Sequence, residues 1–211
     1  MKAGELAVGI GGLGAIGMAV VRALDDGIDG LRLAAVASRD MDKARQQIDG
    51  LASAPAVVEA PDLAQHADII VECAPSAAFD AIATSAIEKG RIFVPSSVGA
   101  LLTREPLISR ARETGARIVV PTGALLGLDA VRAAAEGGIT SVTMVTRKPP
   151  GGLEGAPHLV DNNIDVSNLS APLKVFDGSA RDGAKGFPTN VNITTTLSLA
   201  NISPNQTILK I

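Results

Sequence analysis

The segment Gly12-Leu13-Gly14-Ala15-Ile16-Gly17 constrains this chain more than any other feature. It lies between a short apolar run, "LAVGI" (residues 6–10), and a stretch in which Ile16, Val20, Val21 and Leu24 share one helical face. Glycine loses more conformational freedom on folding than any other residue, so such a loop must need backbone shapes or approaches that side chains forbid. Between a strand and a helix each glycine has a task. Gly12 permits the tight turn, Gly14 lets the backbone approach a pyrophosphate, and Gly17 lets the helix pack closely on the strand. The helix N-terminus adds free N–H groups and a partial positive charge. The bland alternative is a glycine-rich turn without a ligand. The flanking strand, helix and following βαβ pattern favour dinucleotide binding by Gly12, Leu13, Gly14, Ala15 and Ile16.

The next hundred residues repeat that alternation. "LRLAAVAS" (31–38), "ADIIVECA" (67–74), "RIFVPSS" (91–97) and "ARIVVP" (116–121) read as strands. Between them lie a helix capped by Asp40, a helix carrying Phe79, Ile82, Ala83, Ala86 and Ile87 that stops at Gly90, and a helix over 105–113. Strands alternating with helices predict a parallel sheet covered on both faces. Beyond residue 122 the pattern changes. "GLDAVRAAAEGG" reads as a helix and "ITSVTMVTRKPP" as a long strand stopped by two prolines. A turn-rich stretch follows, then a strand and a short helix in "PLKVFDGSARDGAKGFP", and a helix in "TNVNITTTLSLA". "NQTILKI" reads as an interrupted strand with an unfinished apolar edge. The expected class is α/β: a Rossmann-type parallel-sheet domain over 1–122, followed by a smaller α+β substrate and dimerisation domain over 123–211, incomplete at its C-terminal side.

Composition excludes several classes. A net charge of −3 without a basic block argues against a nucleic-acid surface, and four Phe with no Trp or Tyr leave little for base stacking. No apolar run is long enough to span a membrane. One cysteine, Cys73, rules out an internal disulfide and fits a cytoplasmic location. With no His or Lys beside it in sequence, it reads as an inert thiol.

The end of the second strand bears on which dinucleotide fits. Ala37-Ser38-Arg39 stands where an NAD-selective site usually has a carboxylate for the ribose 2′-OH. The Ser38 hydroxyl and Arg39 guanidinium suit a 2′-phosphate, so NADP is expected, with NAD still open. Arg39 as a solvated surface residue is the alternative, and Asp40 is explained at least as well by helix capping.

Six segments carry a resemblance: "GLGAIG", "ECAPSAAF", "PSSVGALL", "PTGALLGLDAV", "VTRKPPGGLEGAPHLV" and "FDGSARDGAKGFPTNVNITTTLSLA". Together, in this order from residue 9 to about 200, they resemble L-aspartate dehydrogenase. The resemblance implies hydride transfer from L-aspartate to NAD or NADP, giving iminoaspartate, a homodimer, and a possible supply of NAD biosynthesis. It places Cys73, Ala74 and Pro75 along the cofactor groove, and Ala124 and Asn190 at the nicotinamide. Asn190 can donate and accept, as a carboxamide requires; capping of the following helix is its other reading. Arg147, Lys148 and Lys185 are candidate cations for the substrate carboxylates, each also readable as an exposed charge. The family's catalytic His belongs to an Asn-x-His motif past the "SLA" helix, and the expected His lies beyond Ile211. His66 and His158 do not match it, and His158 reads as an ordinary loop residue. The alternatives are a non-catalytic NADP-binding homologue, or a reductase of another small amino or keto acid.

Overall fold

The computed structural model describes residues 4–123, 125–188, 191–200 and 203–211. The chain forms two compact units. One comprises the residues up to Ser97 together with Arg104–Pro121; the other comprises Val98–Thr103 and Thr122–Ile211.

The first unit runs β1 (Leu6–Gly11), α1 (Ala15–Asp26), β2 (Leu31–Ala37), α2 (Met41–Gln47), β3 (Ala56–Val58), α3 (Leu63–His66), β4 (Ile69–Glu72), α4 (Ser76–Glu88), β5 (Ile92–Pro95), α5 (Glu105–Thr114) and β6 (Arg117–Ile118). All six strands are parallel, in the order β3-β2-β1-β4-β5-β6. Parallel strands buried on both faces need apolar residues at nearly every position, which the runs "LAVGIG", "LRLAAVA" and "IIV" supply. Val8 and Ile10 of β1 join Leu33, Val36, Val21, Leu24 and Ala44 in one buried cluster. Gly9 and Gly11 point to the opposite face. There a Cβ would stand 3.0 Å from Leu63 and 2.6 Å from Ile82, so the missing side chains admit α3 and α4. Phe79 of α4 meets Phe93 of β5 edge-to-face, ring centroids 5.8 Å apart, and both are fully buried. At the N-terminal edge Asp68 accepts the Ala7 N–H at 3.0 Å and receives Arg91 Nη1 at 3.1 Å.

The second unit contains α6 (Leu128–Glu136), β7 (Val142–Val145), α7 (Pro157–Asp161), β8 (Asp177–Ser179), α8 (Ala180–Gly186), α9 (Asn192–Ser198) and β9 (Thr207–Lys210). Its sheet has the order β7-β9-β8, with β9 parallel to β7 and antiparallel to β8. Leu153, Leu159, Val166, Val175, Phe176, Phe187, Val191, Leu209 and Ile211 lie in its core. The strand expected over "ITSVTMVTRKPP" is only four residues long, matching the four-residue β9 that it pairs with among the described residues. β9 itself is the central strand, with Leu209 fully buried, and not an unfinished edge. The turn-rich stretch hides α7, which starts on Pro157, a residue suited to the first helical turn. The threonines of α9 are buried, and two of its hydroxyls turn back on the helix, while Thr195 Oγ1 is buried without a hydrogen-bond partner among the described residues. Thr196 donates to the Asn192 carbonyl at 3.0 Å and Ser198 to that of Thr195 at 2.8 Å. No helix among the described residues is long and apolar enough to cross a membrane.

Candidate functional site

Strand register brings the candidate residues of the first unit into one row. Ala37 of β2 stands opposite Gly11 of β1, Gly11 opposite Glu72 of β4, and Glu72 opposite Pro95 of β5. The chain therefore leaves the sheet side by side at Ser38, Gly12, Cys73 and Ser96. β1 is also where strand order reverses, and in open α/β sheets the crevice that takes ligands lies outside the carboxyl ends of the strands at that point, here β1 and β4.

The glycine turn is built as its spacing requires. Gly12 has φ +98°, and a Cβ there would stand 2.6 Å from the Cys73 carbonyl oxygen and 2.7 Å from Ala74 N and Cα. Its N–H donates to the Ala37 carbonyl at 2.8 Å, tying the turn to the end of β2. A Cβ on Gly17 would overlap the Gly12 carbonyl oxygen, so α1 sits hard against the turn. Gly14 differs. Nothing lies within 4 Å of its Cβ position, and no side chain caps α1. The first-turn N–H groups of a helix have no intrahelical acceptor. Open space beside uncapped amides, at the positive end of a helix dipole, is the chemistry of a diphosphate cradle. Leu13 is buried, Ala15 and Ile16 are exposed, and Gln47 Nε2 donates to the Leu13 carbonyl at 3.3 Å.

Ser38 is half-buried and Arg39 exposed beyond the end of β2. Asp40 is a helix cap, its carboxylate accepting the Lys43 N–H at 2.9 Å. No carboxylate of β2 itself faces this end of the crevice, since the strand reads "LRLAAVA". On the far side Cys73 donates its N–H to the Gly11 carbonyl at 2.7 Å, and Pro75 precedes the first turn of α4. Burial pushes the half-buried Cys73 thiol up, the Glu72 charge adds to this, and only a hydrogen bond with Ser96 opposes them. A thiol held protonated is a poor nucleophile.

Glu72, which the sequence reading passed over, is fully buried at the end of β4. One carboxylate oxygen accepts the Ala74 N–H at 3.0 Å and the Ser97 hydroxyl at 3.1 Å; the other accepts the Ser97 N–H at 3.0 Å. Burial raises its carboxyl above the usual value, and these hydrogen bonds only partly offset it. The signal available in sequence was the lone acid ending the apolar run "ADIIVE".

Residues 12–121 match the family model described as homoserine dehydrogenase, NAD binding domain, and residues 129–211 match that described as aspartate dehydrogenase, C-terminal. An L-aspartate dehydrogenase of Bradyrhizobium diazoefficiens is 52% identical over 207 residues, covering 98% of this chain and 74% of that protein. The chain belongs to the L-aspartate dehydrogenase family. L-aspartate dehydrogenase 3 of Bordetella bronchiseptica is 47% identical, covering 98% of this chain and 76% of its own length. The crystal structure of aspartate dehydrogenase from Thermotoga maritima superposes with TM-score 0.70 over 98% of this chain and 78% of that one; at 21% identity it speaks for the fold.

The remaining candidates of this family member divide. Ala124 and Asn190 lie outside the described residues. Arg147 and Lys148 are exposed beyond β7, and exposed Lys185 sits 3.8 Å from Asp182. His158 is on α7, not in a loop. Its Nε2 donates to the Val175 carbonyl at 3.1 Å, and Nδ1 faces the Asn162 amide at 3.4 Å. The ring lies 5.1 Å from Phe176 and 5.3 Å from Phe187, centroid to centroid. Both ring nitrogens are engaged, and the side chain serves the core of the second unit. Among the described residues no group of His, Cys, Asp or Glu is arranged to hold a metal ion.

Proposed function

We propose that this protein oxidises L-aspartate to iminoaspartate with NADP or NAD. The observation that carries the reading is 52% identity to an L-aspartate dehydrogenase over 98% of the chain, glycine turn included. The cofactor, when bound, supplies the hydride acceptor. Gly12, Leu13, Gly14, Ala15 and Ile16 would hold its diphosphate through backbone N–H groups, with Gly14 leaving the room. Ser38 and Arg39 would meet the ribose 2′ position and favour NADP, a planar guanidinium being well matched to phosphate. Cys73, Ala74 and Pro75 would line the far wall as backbone and apolar surface, without acid–base work, in keeping with the raised thiol. Ala124 and Asn190 would orient the nicotinamide, and cations among Arg147, Lys148 and Lys185 would take the substrate carboxylates.

Residues 1–122 would serve dinucleotide binding and 123–211 substrate binding and dimerisation, in a cytoplasmic homodimer whose product would feed NAD biosynthesis. The test is absorbance at 340 nm with L-aspartate and each cofactor, alongside a panel of other small amino acids. Reduction with aspartate well above the panel supports the reading; faster turnover of another amino acid replaces aspartate as the substrate. Asn190→Ala is expected to lower kcat more than it weakens binding of an adenosine fragment.

A further inference from the structure

We infer that Glu72 is a positioning residue for the cofactor, its buried carboxylate fixing the Ala74 backbone against the glycine turn. The inference rests on the dinucleotide reading of the crevice.

Three observations combine. First, Glu72 is fully enclosed, and an ionisable side chain taken out of water is costly unless its partners are arranged for it. A leucine would fill similar volume without that cost, so packing alone does not account for an acid at the end of an apolar strand. Second, the carboxylate ties two exits of the sheet together. It accepts the N–H of Ala74 after β4 and both the N–H and hydroxyl of Ser97 after β5, while the Glu72 carbonyl accepts the Ser96 N–H at 2.8 Å. Third, the Ala74 backbone is itself a wall of the turn. Its N and Cα stand 2.7 Å from where a Gly12 side chain would be, and Cys73 is bonded to Gly11.

A shift at Ala74 is therefore felt at Gly12, and through the Gly12 carbonyl at the start of α1. Close-packed neighbours transmit displacements of this kind. Glu72 thus acts on the cofactor through Ala74 and Gly12, without touching it. A carboxylate suits the task because both oxygens accept, and two of its three donors are main-chain N–H groups with fixed directions. A glutamine keeps the shape but turns one acceptor into a donor, which must face either the Ser97 N–H or the Ala74 N–H.

The test compares wild type with Glu72→Gln in two measurements. Hydrogen exchange without cofactor is expected to quicken at Cys73, Ala74, Ser76 and residues 12–14, while Ile70 and Phe93 keep their protection. Calorimetry is expected to show NADPH and NADH bound about tenfold more weakly, with AMP, which occupies the adenosine half alone, changed less than twofold. A variant that melts earlier yet binds NADPH as wild type does would overturn the inference, as would exchange that quickens evenly across the sheet. Should Glu72→Gln not fold, Ser97→Ala removes the hydroxyl donor alone. About threefold weaker NADPH binding is then expected, and unchanged affinity counts against the idea. Should wild type bind neither dinucleotide, the functional reading fails, and the exchange comparison still decides what Glu72 positions.

Discussion

Gly14→Ala separates ligand contact from folding, because the structure gives the new methyl group nothing to strike. Gly14 has φ −76° and ψ −167°, a conformation open to alanine, and no atom lies within 4 Å of its Cβ position. Restricting the unfolded chain favours the variant by about 0.4–1 kcal/mol. Alanine is a poorer helix N-cap than glycine, which costs a comparable amount, up to about 1 kcal/mol. The two nearly cancel, so stability is expected to stay within about 1 kcal/mol, or roughly 2–4 °C in Tm for a chain of this size. Binding behaves differently. A diphosphate seated on the first-turn amides needs the space that the methyl group takes. Lost contact and misplaced N–H donors are expected to weaken NADPH and NADH alike by at least about tenfold, 1.4 kcal/mol. Gly17→Ala is the control, since its methyl group overlaps the Gly12 carbonyl, and overpacking of that kind costs about 1–3 kcal/mol or more. The assay is a melting curve and a calorimetric titration on the same sample. Unchanged affinity in a normally stable Gly14→Ala protein would refute the argument that the diphosphate crosses Gly14.

Three further outcomes follow from other parts of the molecule. Arg39→Ala is expected to weaken NADPH by about ten- to a hundredfold, the worth of a charge-assisted hydrogen bond, and NADH much less; equal losses would remove Arg39 from the 2′-phosphate. His158→Ala is expected to lower Tm, since it opens a cavity between Phe176 and Phe187 and leaves the Val175 carbonyl unpaired, while the folded fraction binds cofactor normally. Glu72 should give an unusual pH signature. Its folded carboxyl lies above the usual 4.5, so the fold binds that proton more tightly than the unfolded chain does. Relative to Glu72→Gln, wild type is therefore expected to gain stability as pH falls through the raised value toward 4.5 and to level off below it. Asp80, held below its usual value by Arg104, has the opposite sign and loses its contribution only at lower pH. Melting curves carried from pH 8 down to about pH 2 distinguish the two.

Local signals gave most of the nucleotide unit. The glycine spacing, the apolar runs and the Asp40 cap each report a nearby cause, and each is found where the spacing put it. Distant causes were hidden. Nothing in "TILK" says that two strands from far back in the chain will flank it, so a central strand read as an edge. β3 escaped notice because its three residues are strand only through pairing with β2. The role of Glu72 depends on Ser97, which follows a different strand, and only the folded register brings them together. Likewise His158 looked like a loop residue until Val175 and two phenylalanines closed around it.

The place of β9 in the small sheet has a consequence for biosynthesis. β7 and β8 each bond to β9 and not to one another, so the sheet cannot begin to assemble until residues 207–210 have emerged. At synthesis rates of about 5–20 residues per second, β7 waits roughly 3–12 s for its partner. Within that interval Leu153, Phe176 and Phe187 emerge in turn, with no Leu209 yet to close over them. The nucleotide unit draws its strands from the first 118 residues and can be largely folded by then. Chaperone demand on the ribosome therefore falls on the second unit, and a pause in translation between Phe187 and residue 207 would prolong it.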